Sequence, residues 1–270
     1  MVDAPPTRPG EPIGDAPRDE EPPADPRSEP EGGPSRKGDA RLAALFDDIA
    51  PAWDRLSWIV SFGRDRRWRA AAASAAAVGP GDSVVDVFAG TGRMASVLAD
   101  RVGPFGRVVA VDLSPKMVER GTATNRDVVQ LQFVLADALA LPFEDDQFDA
   151  ATVSFGLRTL PDMSAGVAEM RRVVRPGGRV VCLERVMPRP RAWGRAYRGA
   201  VRRLVPVAGL VAGRGRGDAY RRLAGELDHH VPEVTELTDA MRTAGLDDIS
   251  HRPFWLGAVA LVAGTVPSAG

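Results

Sequence analysis

The stretch that most constrains this chain is "SVVDVFAGTGRMA", residues 83–95. A short β-branched run ends near an acid, crosses a glycine-rich turn and opens directly into a helix-forming segment. Valine-rich runs of this length suit a strand buried on both faces. The turn leaves the first N–H groups of the helix unpaired at the strand's carboxyl end. Four further runs continue the pattern: "RVVAVDL" (107–113), "LQFVLA" (131–136), "FDAATVSF" (148–155) and "GRVVCLERV" (178–186). Helical patterns cover 94–102, 115–124 and 164–174. Apolar strands alternating with helices predict one parallel α/β sheet covered on both faces, with right-handed crossovers.

The flanks are simpler. Residues 42–78 read as helical, with an alanine-rich run stopped at Gly79-Pro80. After a helix near 232–244, "DDISHRPFWLGAVALVAGTV" reads as two strands divided at Pro253, forming an antiparallel hairpin edge. Residues 1–40 hold ten of the 23 prolines with ten acidic and five basic side chains. Such a composition buries too little apolar surface to offset ordering entropy and predicts a disordered tail. The expected organisation is therefore a tail over 1–40 and one domain over 41–266, with an arginine-rich insertion at 187–232.

Within that insertion, residues 188–222 carry ten arginines against one aspartate, interleaved with Trp193, Tyr197, Leu204 and Val205. The plain reading is a solvated helix face. The sharper one is a peripheral contact with an anionic membrane surface. A net charge of −1 supplies no global field for nucleic acid. The one cysteine, Cys182, sits in an apolar run and reads as a buried thiol in a reducing compartment. No apolar stretch reaches bilayer length and no signal pattern opens the chain, so the cytoplasm is expected. His229, His230 and His251 have no metal-ligand spacing.

The chemistry gathers at strand ends. Gly90 and Gly92 allow close backbone approach to a ligand, and Asp112 follows Gly92 by twenty residues at the next strand's end. An acid there accepts both ribose hydroxyls of an adenosine cofactor. "GTGRMA" also satisfies the dinucleotide pattern G-x-G-x-x-A. Three features favour S-adenosylmethionine instead. Asp86, four residues before Gly90, suits a cationic amino-acid group better than a pyrophosphate. Asp137 in "ADALALPFEDDQFDA" is placed to accept from an adenine amino group. "RRVVRPGGRVVCLE" then sets a Pro-Gly-Gly turn before the fifth strand.

These residues, in this order, resemble class I methyltransferases. "SFGLRT" (154–159), the "RVVRPGGRVVCLE" run and "WDRLSWIVSFGRDRRW" are similar to the UbiE/MenG-type family of ubiquinone and menaquinone biosynthesis C-methyltransferases. The resemblance spans roughly 46–188 well and more loosely reaches 264. It implies a Rossmann-like seven-stranded sheet, mostly parallel with an antiparallel last strand, and a helical N-terminal appendage. It also implies S-adenosylmethionine as cofactor and a prenylated quinol such as demethylmenaquinol as acceptor. Asp86, Ala89, Gly90, Thr91, Gly92, Asp112, Leu113, Met117, Asp137, Ala138 and Ser154 would line the cofactor. Arg158 would stabilise a developing phenolate or order a water, and Glu184 would act as base or as a buried salt-bridge helper.

The chain departs from the family's spelling at several points. Phe88 replaces the small first residue of the glycine loop, Trp53-Asp54 replaces Tyr-Asp, Thr159 replaces Asn and Val186 replaces Ser. The usual Tyr-x-Tyr-Leu-x-x-Ser becomes Tyr220 to Glu226, and a late histidine is absent from "LGAVALVAG". These changes cluster in substrate-facing elements, while the adenosine-facing acids remain. They keep open a natural-product C- or O-methyltransferase, or a non-catalytic cofactor-binding protein, on the same scaffold.

Overall fold

A computed structural model describes residues 47, 50, 53–190, 192–197, 199, 203, 207 and 231–268. The predicted tail over 1–40 and most of the arginine-rich stretch lie outside the described residues.

Seven strands form one sheet: β1 (Ser83–Val87), β2 (Arg107–Asp112), β3 (Leu131–Leu135), β4 (Phe148–Ser154), β5 (Val174–Arg185), β6 (Asp247–Phe254) and β7 (Val259–Thr265). Their order is β3-β2-β1-β4-β5-β7-β6. β1 to β5 run parallel, and β7 pairs antiparallel with both β5 and β6. Helices α1 (Trp53–Val60) and α2 (Asp65–Ala75) precede the sheet. The crossovers use α3 (Arg93–Val102), α4 (Pro115–Thr124) and α5 (Met163–Arg172), and α6 (Val234–Thr243) leads into β6.

The inner strands β1, β2, β4, β5 and β7 bury residues on both faces, alternating as a pleat of period two requires. Val84, Val108, Ala110, Ala150, Val181 and Leu183 pack with Trp68, Ala72, Met94 and Leu98 of α2 and α3. Val85, Val109, Val111, Ala151, Val180 and Cys182 pack with Val167, Met170, Leu237 and Met241 of α5 and α6. Cys182 is fully buried, and that burial pushes its thiol well above the ordinary value.

The crossover helices start on sequence-legible caps. Ser114 accepts from the Met117 N–H with Pro115 next to it, and Asp162 accepts from Ser164 and Ala165. Three boundaries differ from expectation. The helical stretch 42–78 breaks between α1 and α2 at Ser61-Phe62-Gly63, where Phe62 and Gly63 have positive φ. β5 starts at Val174, and its register jumps from Phe148↔Val174 to Ala150↔Arg179, so the Pro-Gly-Gly turn is a bulge inside the strand. Pro253 lies within β6, paired with Ala260, and the hairpin turns at Trp255–Gly257. β6 is the sheet edge, where a residue without an N–H costs no ladder bond.

Candidate active site

The sheet order reverses between β1 and β4, and a cavity opens at their carboxyl ends. The glycine turn after β1 forms its floor. Ala89 N–H donates to Val111 O, tying the turn to β2. Asp112 locks it further: Gly90 N–H donates to Oδ2 at 2.7 Å and Ser114 N–H to Oδ1 at 3.0 Å. Burial pushes the Asp112 carboxyl up, and these N–H groups pull it back. Thr91 Oγ1 donates to Asp54 Oδ1 at 2.6 Å, fixing α1 over the turn. Past the carboxyl end of β3 stand Asp137, whose Oδ1 accepts from Leu139 N–H at 2.9 Å, and buried Ala138.

Of the residues singled out in the sequence, Ala89, Gly90, Thr91, Asp112, Leu113, Met117, Asp137, Ala138, Ser154 and Arg158 line this cavity. Asp86, Gly92 and Glu184 stand behind the wall. At Gly92 the missing Cβ makes room for the Phe133 ring, which would lie 2.5 Å away. Asp86 is 1% exposed, and its Oδ1 accepts from Thr152 Oγ1 at 2.6 Å while Oδ2 has no partner among the described residues. Burial raises its carboxyl to about 7. Glu184 is fully buried. Its Oε1 accepts from Arg158 Nε at 3.1 Å and from Arg185 N–H at 2.8 Å, and its Oε2 from Arg158 N–H at 3.4 Å. Arg158 sits on a 3₁₀ turn, Leu157–Thr159, directly after β4, so its backbone and guanidinium clamp one carboxylate.

Phe88 adopts φ 56, a left-handed conformation unusual for a bulky residue. Its ring lines the cavity and fills the space above Gly156, where an added Cβ would lie 2.3 Å from Phe88 Cβ and Cγ.

Several wall residues carried no sequence signal in isolation. Asp65, Trp68, Arg69, Ala72 and Ala73 form the buried stripe of α2. Helical spacing therefore puts an acid and a base where apolar residues belong, and that mismatch is the readable clue. Arg69 is 8% exposed, makes no hydrogen bond among the described residues and lies 5.5 Å over the Phe155 ring. The acid within ion-pair distance among the described residues, Asp65 at 3.8 Å, is occupied by Arg93 at 2.6 Å and by Ser61. Arg185, 9% exposed, also has an unpartnered Nε and lies 5.8 Å over the Tyr197 ring. Ser154 Oγ is a third buried polar atom of this wall without a partner. A buried donor that protein does not satisfy marks a place for a polar ligand.

A glycine turn sealed by a strand-end acid, at the switch point of a seven-stranded sheet with an antiparallel edge, defines a class I S-adenosylmethionine-dependent methyltransferase. The putative methyltransferase solved with the Haloferax volcanii Trm112 methyltransferase activator shares this fold, with TM-score 0.59 and 21% identity over 82% of this chain and 97% of that one. Residues 35–266 match the ubiE/COQ5 methyltransferase family, and the chain belongs to it. It is 40% identical to the demethylmenaquinone methyltransferase of Mycolicibacterium vanbaalenii, over 83% of this chain and 94% of that protein. It is 37% identical to the ubiquinone/menaquinone biosynthesis C-methyltransferase UbiE of Geobacter sulfurreducens, over 85% of this chain and 90% of that one. The cofactor is S-adenosylmethionine, and the dinucleotide reading of "GTGRMA" is set aside. Among the described residues no cluster of metal-ligating side chains occurs, and no helix is long and apolar enough to cross a membrane.

Proposed function

We propose that this enzyme methylates a ring carbon of a prenylated quinol, with demethylmenaquinol as the leading acceptor. The observation that carries this reading is the clamped arginine at the β4 exit. Arg158 faces the cavity shared with the cofactor turn and is held from behind by Glu184. The names of the relatives point to the same acceptor class.

Asp112 receives the ribose, Asp137 and Ala138 border the adenine, and Gly90, Ala89, Leu113, Met117 and Ser154 line the remaining wall. Arg69, the buried cation beside Phe155, receives the carboxylate of the cofactor's amino-acid end. Bound there, S-adenosylmethionine supplies a methyl group that is already electrophilic, so the protein's task is alignment and charge stabilisation. A quinol carbon gains nucleophilicity as its hydroxyl passes a proton to solvent water. After methyl transfer, with S-adenosylhomocysteine as leaving group, the ring C–H proton leaves to water as well. Arg158, assisted by Arg185, stabilises the phenolate that forms, in a setting where desolvation strengthens the interaction. Glu184 has its carboxylate oxygens engaged behind the wall and acts as a positioning residue, orienting Arg158. Asp86 and Gly92 act from behind the turn, setting its charge and its packing.

Calorimetric titration with S-adenosylhomocysteine tests the cofactor half; a folded protein that stays silent refutes it. Mass spectrometry of demethylmenaquinol incubated with enzyme and S-adenosylmethionine tests the acceptor half. Arg158→Lys keeps a charge but loses the fixed planar fork. It should lower kcat about 10²–10³-fold with S-adenosylhomocysteine affinity unchanged. A second reading, a natural-product C- or O-methyltransferase, draws on Phe88 narrowing the wall beside Gly156. Unchanged methylated menaquinone in a deletion strain would favour it.

A further inference from the structure

Two loop tips at the cavity mouth expose large apolar side chains. At the α1–α2 tip Trp58 and Phe62 are each 61% exposed, and at the β6–β7 turn Leu256 is 74% exposed. The tips touch: the Phe62 and Trp255 rings meet edge-on at 6.1 Å. Trp255 in turn packs at 5.9 Å on Trp68 and 5.7 Å on Tyr197, and all three of these line the cavity. The division is clean, with Ser57 of α1 and Ser61 just after it on the cavity side and Trp58 outside.

Folding alone gives no reason for this surface. Phe62, Trp255 and Leu256 have φ of 52, 48 and 54, left-handed conformations that disfavour bulky residues. Phe62 and Leu256 bury little in return. Strained and exposed apolar residues together, at the rim of a functional cavity, indicate a surface kept for a partner. The surrounding charge identifies that partner's chemistry. Residues 55–67 carry four arginines and a single acid, Asp65, which is buried and paired. Arg64, Arg66 and Arg67 are exposed and, among the described residues, have no ion-pair partner. Residues 249–258 add His251 and Arg252 and no acid. Aromatic and aliphatic tips flanked along the chain by exposed arginines match the layered chemistry of an anionic bilayer, apolar within and phosphate at its surface. Two copies of such a face would repel each other.

We propose that the α1–α2 tip and the β6–β7 turn form a docking face for anionic phospholipid membranes. Docking there sets the cavity mouth against the bilayer, where a prenylated acceptor resides. This deepens the proposed function and rests on it for the acceptor, while the surface itself stands on exposure, strain and charge. It is also distinct from residues 188–222, of which only a part is described.

The test is co-sedimentation of the full chain with vesicles of phosphatidylcholine, alone or mixed with phosphatidylglycerol. Wild type should partition onto the mixed vesicles, and the partition should fall about tenfold or more as salt screens the arginines. Trp58→Ser/Phe62→Ser/Leu256→Ser should reduce partition about tenfold or more. Arg64→Glu/Arg66→Glu/Arg67→Glu should abolish the preference for the anionic lipid. Both variants should bind S-adenosylhomocysteine as wild type does, which certifies their fold. Wild type remaining in solution with anionic vesicles overturns the proposal, as do variants that sediment like wild type. A change from dimer to monomer by light scattering in the apolar variant, with vesicle binding intact, overturns it in favour of self-association. Loss of S-adenosylhomocysteine binding by wild type, with vesicle binding kept, overturns the cofactor half of the proposed function and leaves the docking face standing.

Discussion

Asp86 and Glu184 are two buried carboxylates on strands that flank β4, and the chain treats them in opposite ways. Strand alternation turns Asp86 toward the α2–α3 face with Val84, and Glu184 toward the α5–α6 face with Cys182. Asp86 has one hydroxyl donor, from its cross-strand partner Thr152, and one oxygen without a partner. Glu184 has a guanidinium and two backbone N–H donors. Burial is the largest influence on each and pushes both carboxyls up. Arg158 and two backbone N–H groups draw Glu184 part of the way back. Asp86 is left near neutrality, a reserve of charge beside Arg69 and behind the cofactor turn. Equal burial therefore produces a carboxylate braced by a guanidinium on one side of the sheet and one with a single hydroxyl donor on the other.

The largest effect should come from breaking the braced pair. Glu184→Ala strands Arg158 as a buried unpaired cation and should cost about 3–5 kcal/mol in denaturant unfolding. Glu184→Leu combined with Arg158→Met should recover most of that stability while abolishing turnover, because an apolar pair removes both desolvated charges. A double variant as unstable as the single one would show that the pair does more than satisfy its own charges.

The Asp86 side should respond to pH instead. Its folded value, about 7, lies above the ordinary 3.8. Burying the neutral acid therefore contributes stability that is full below about pH 4 and is lost as pH rises through 7. Asp86→Asn mimics the neutral acid at every pH. Its stability relative to wild type should climb between pH 4 and 8 by about 2–4 kcal/mol, read from melting or denaturant curves. A difference that stays flat with pH would mean that burial does not raise the Asp86 carboxyl, and the contrast in partners would leave no trace in titration.

How far the sequence foretold this contrast depends on which kind of contact decides it. The strands and crossover helices were legible because period, caps and turns are local. The Asp86 neighbourhood was half legible, since the spacing of Asp86, Gly90 and Asp112 is fixed by one strand-turn-helix unit. Thr152 as its partner depends on strand order, which brings residues 66 apart in the chain to 2.6 Å. Arg158 and Glu184 could both be singled out, yet whether Glu184 faces the cavity or stands behind it depends on the β5 bulge and register. Arg69 and Arg185 stayed unread because an arginine in a helical or strand pattern looks like surface until packing shows it buried. Pro253 misled, because a proline breaks a central strand and is tolerated at an edge.

Arg69 sharpens the Asp86 side further. A ligand carboxylate on this cation gains a charge-assisted bond in a dry wall, worth about 1.5–3 kcal/mol. Arg69→Ala should weaken S-adenosylhomocysteine by about 10–100-fold and leave 5′-methylthioadenosine, which lacks the amino-acid end, unchanged. Equal losses for both ligands would make Arg69 a packing element beneath Phe155.

The smallest effect tests whether the two sides communicate. Phe88 follows Asp86 by two residues, and Gly156 precedes Arg158 by two, so the Phe88–Gly156 contact joins the two neighbourhoods. Gly156 has φ −110, which any residue adopts, and the atoms closest to a side chain there are Cβ and the ring of Phe88. Gly156→Ala should cost about 1–3 kcal/mol by overpacking. Phe88→Gly should be nearly neutral, since relief of the left-handed strain offsets loss of a partly buried ring. Together the changes should restore most of the alanine's cost, a coupling of about 1–2 kcal/mol in a double-mutant cycle. If the two changes simply add, the ring and the arginine turn are independent. If they couple, and kcat follows the stability, then Phe88 holds the Arg158 turn in place. The chain's most conspicuous departure from its family would then be a structural adjustment to the wall rather than an obstruction of the cofactor.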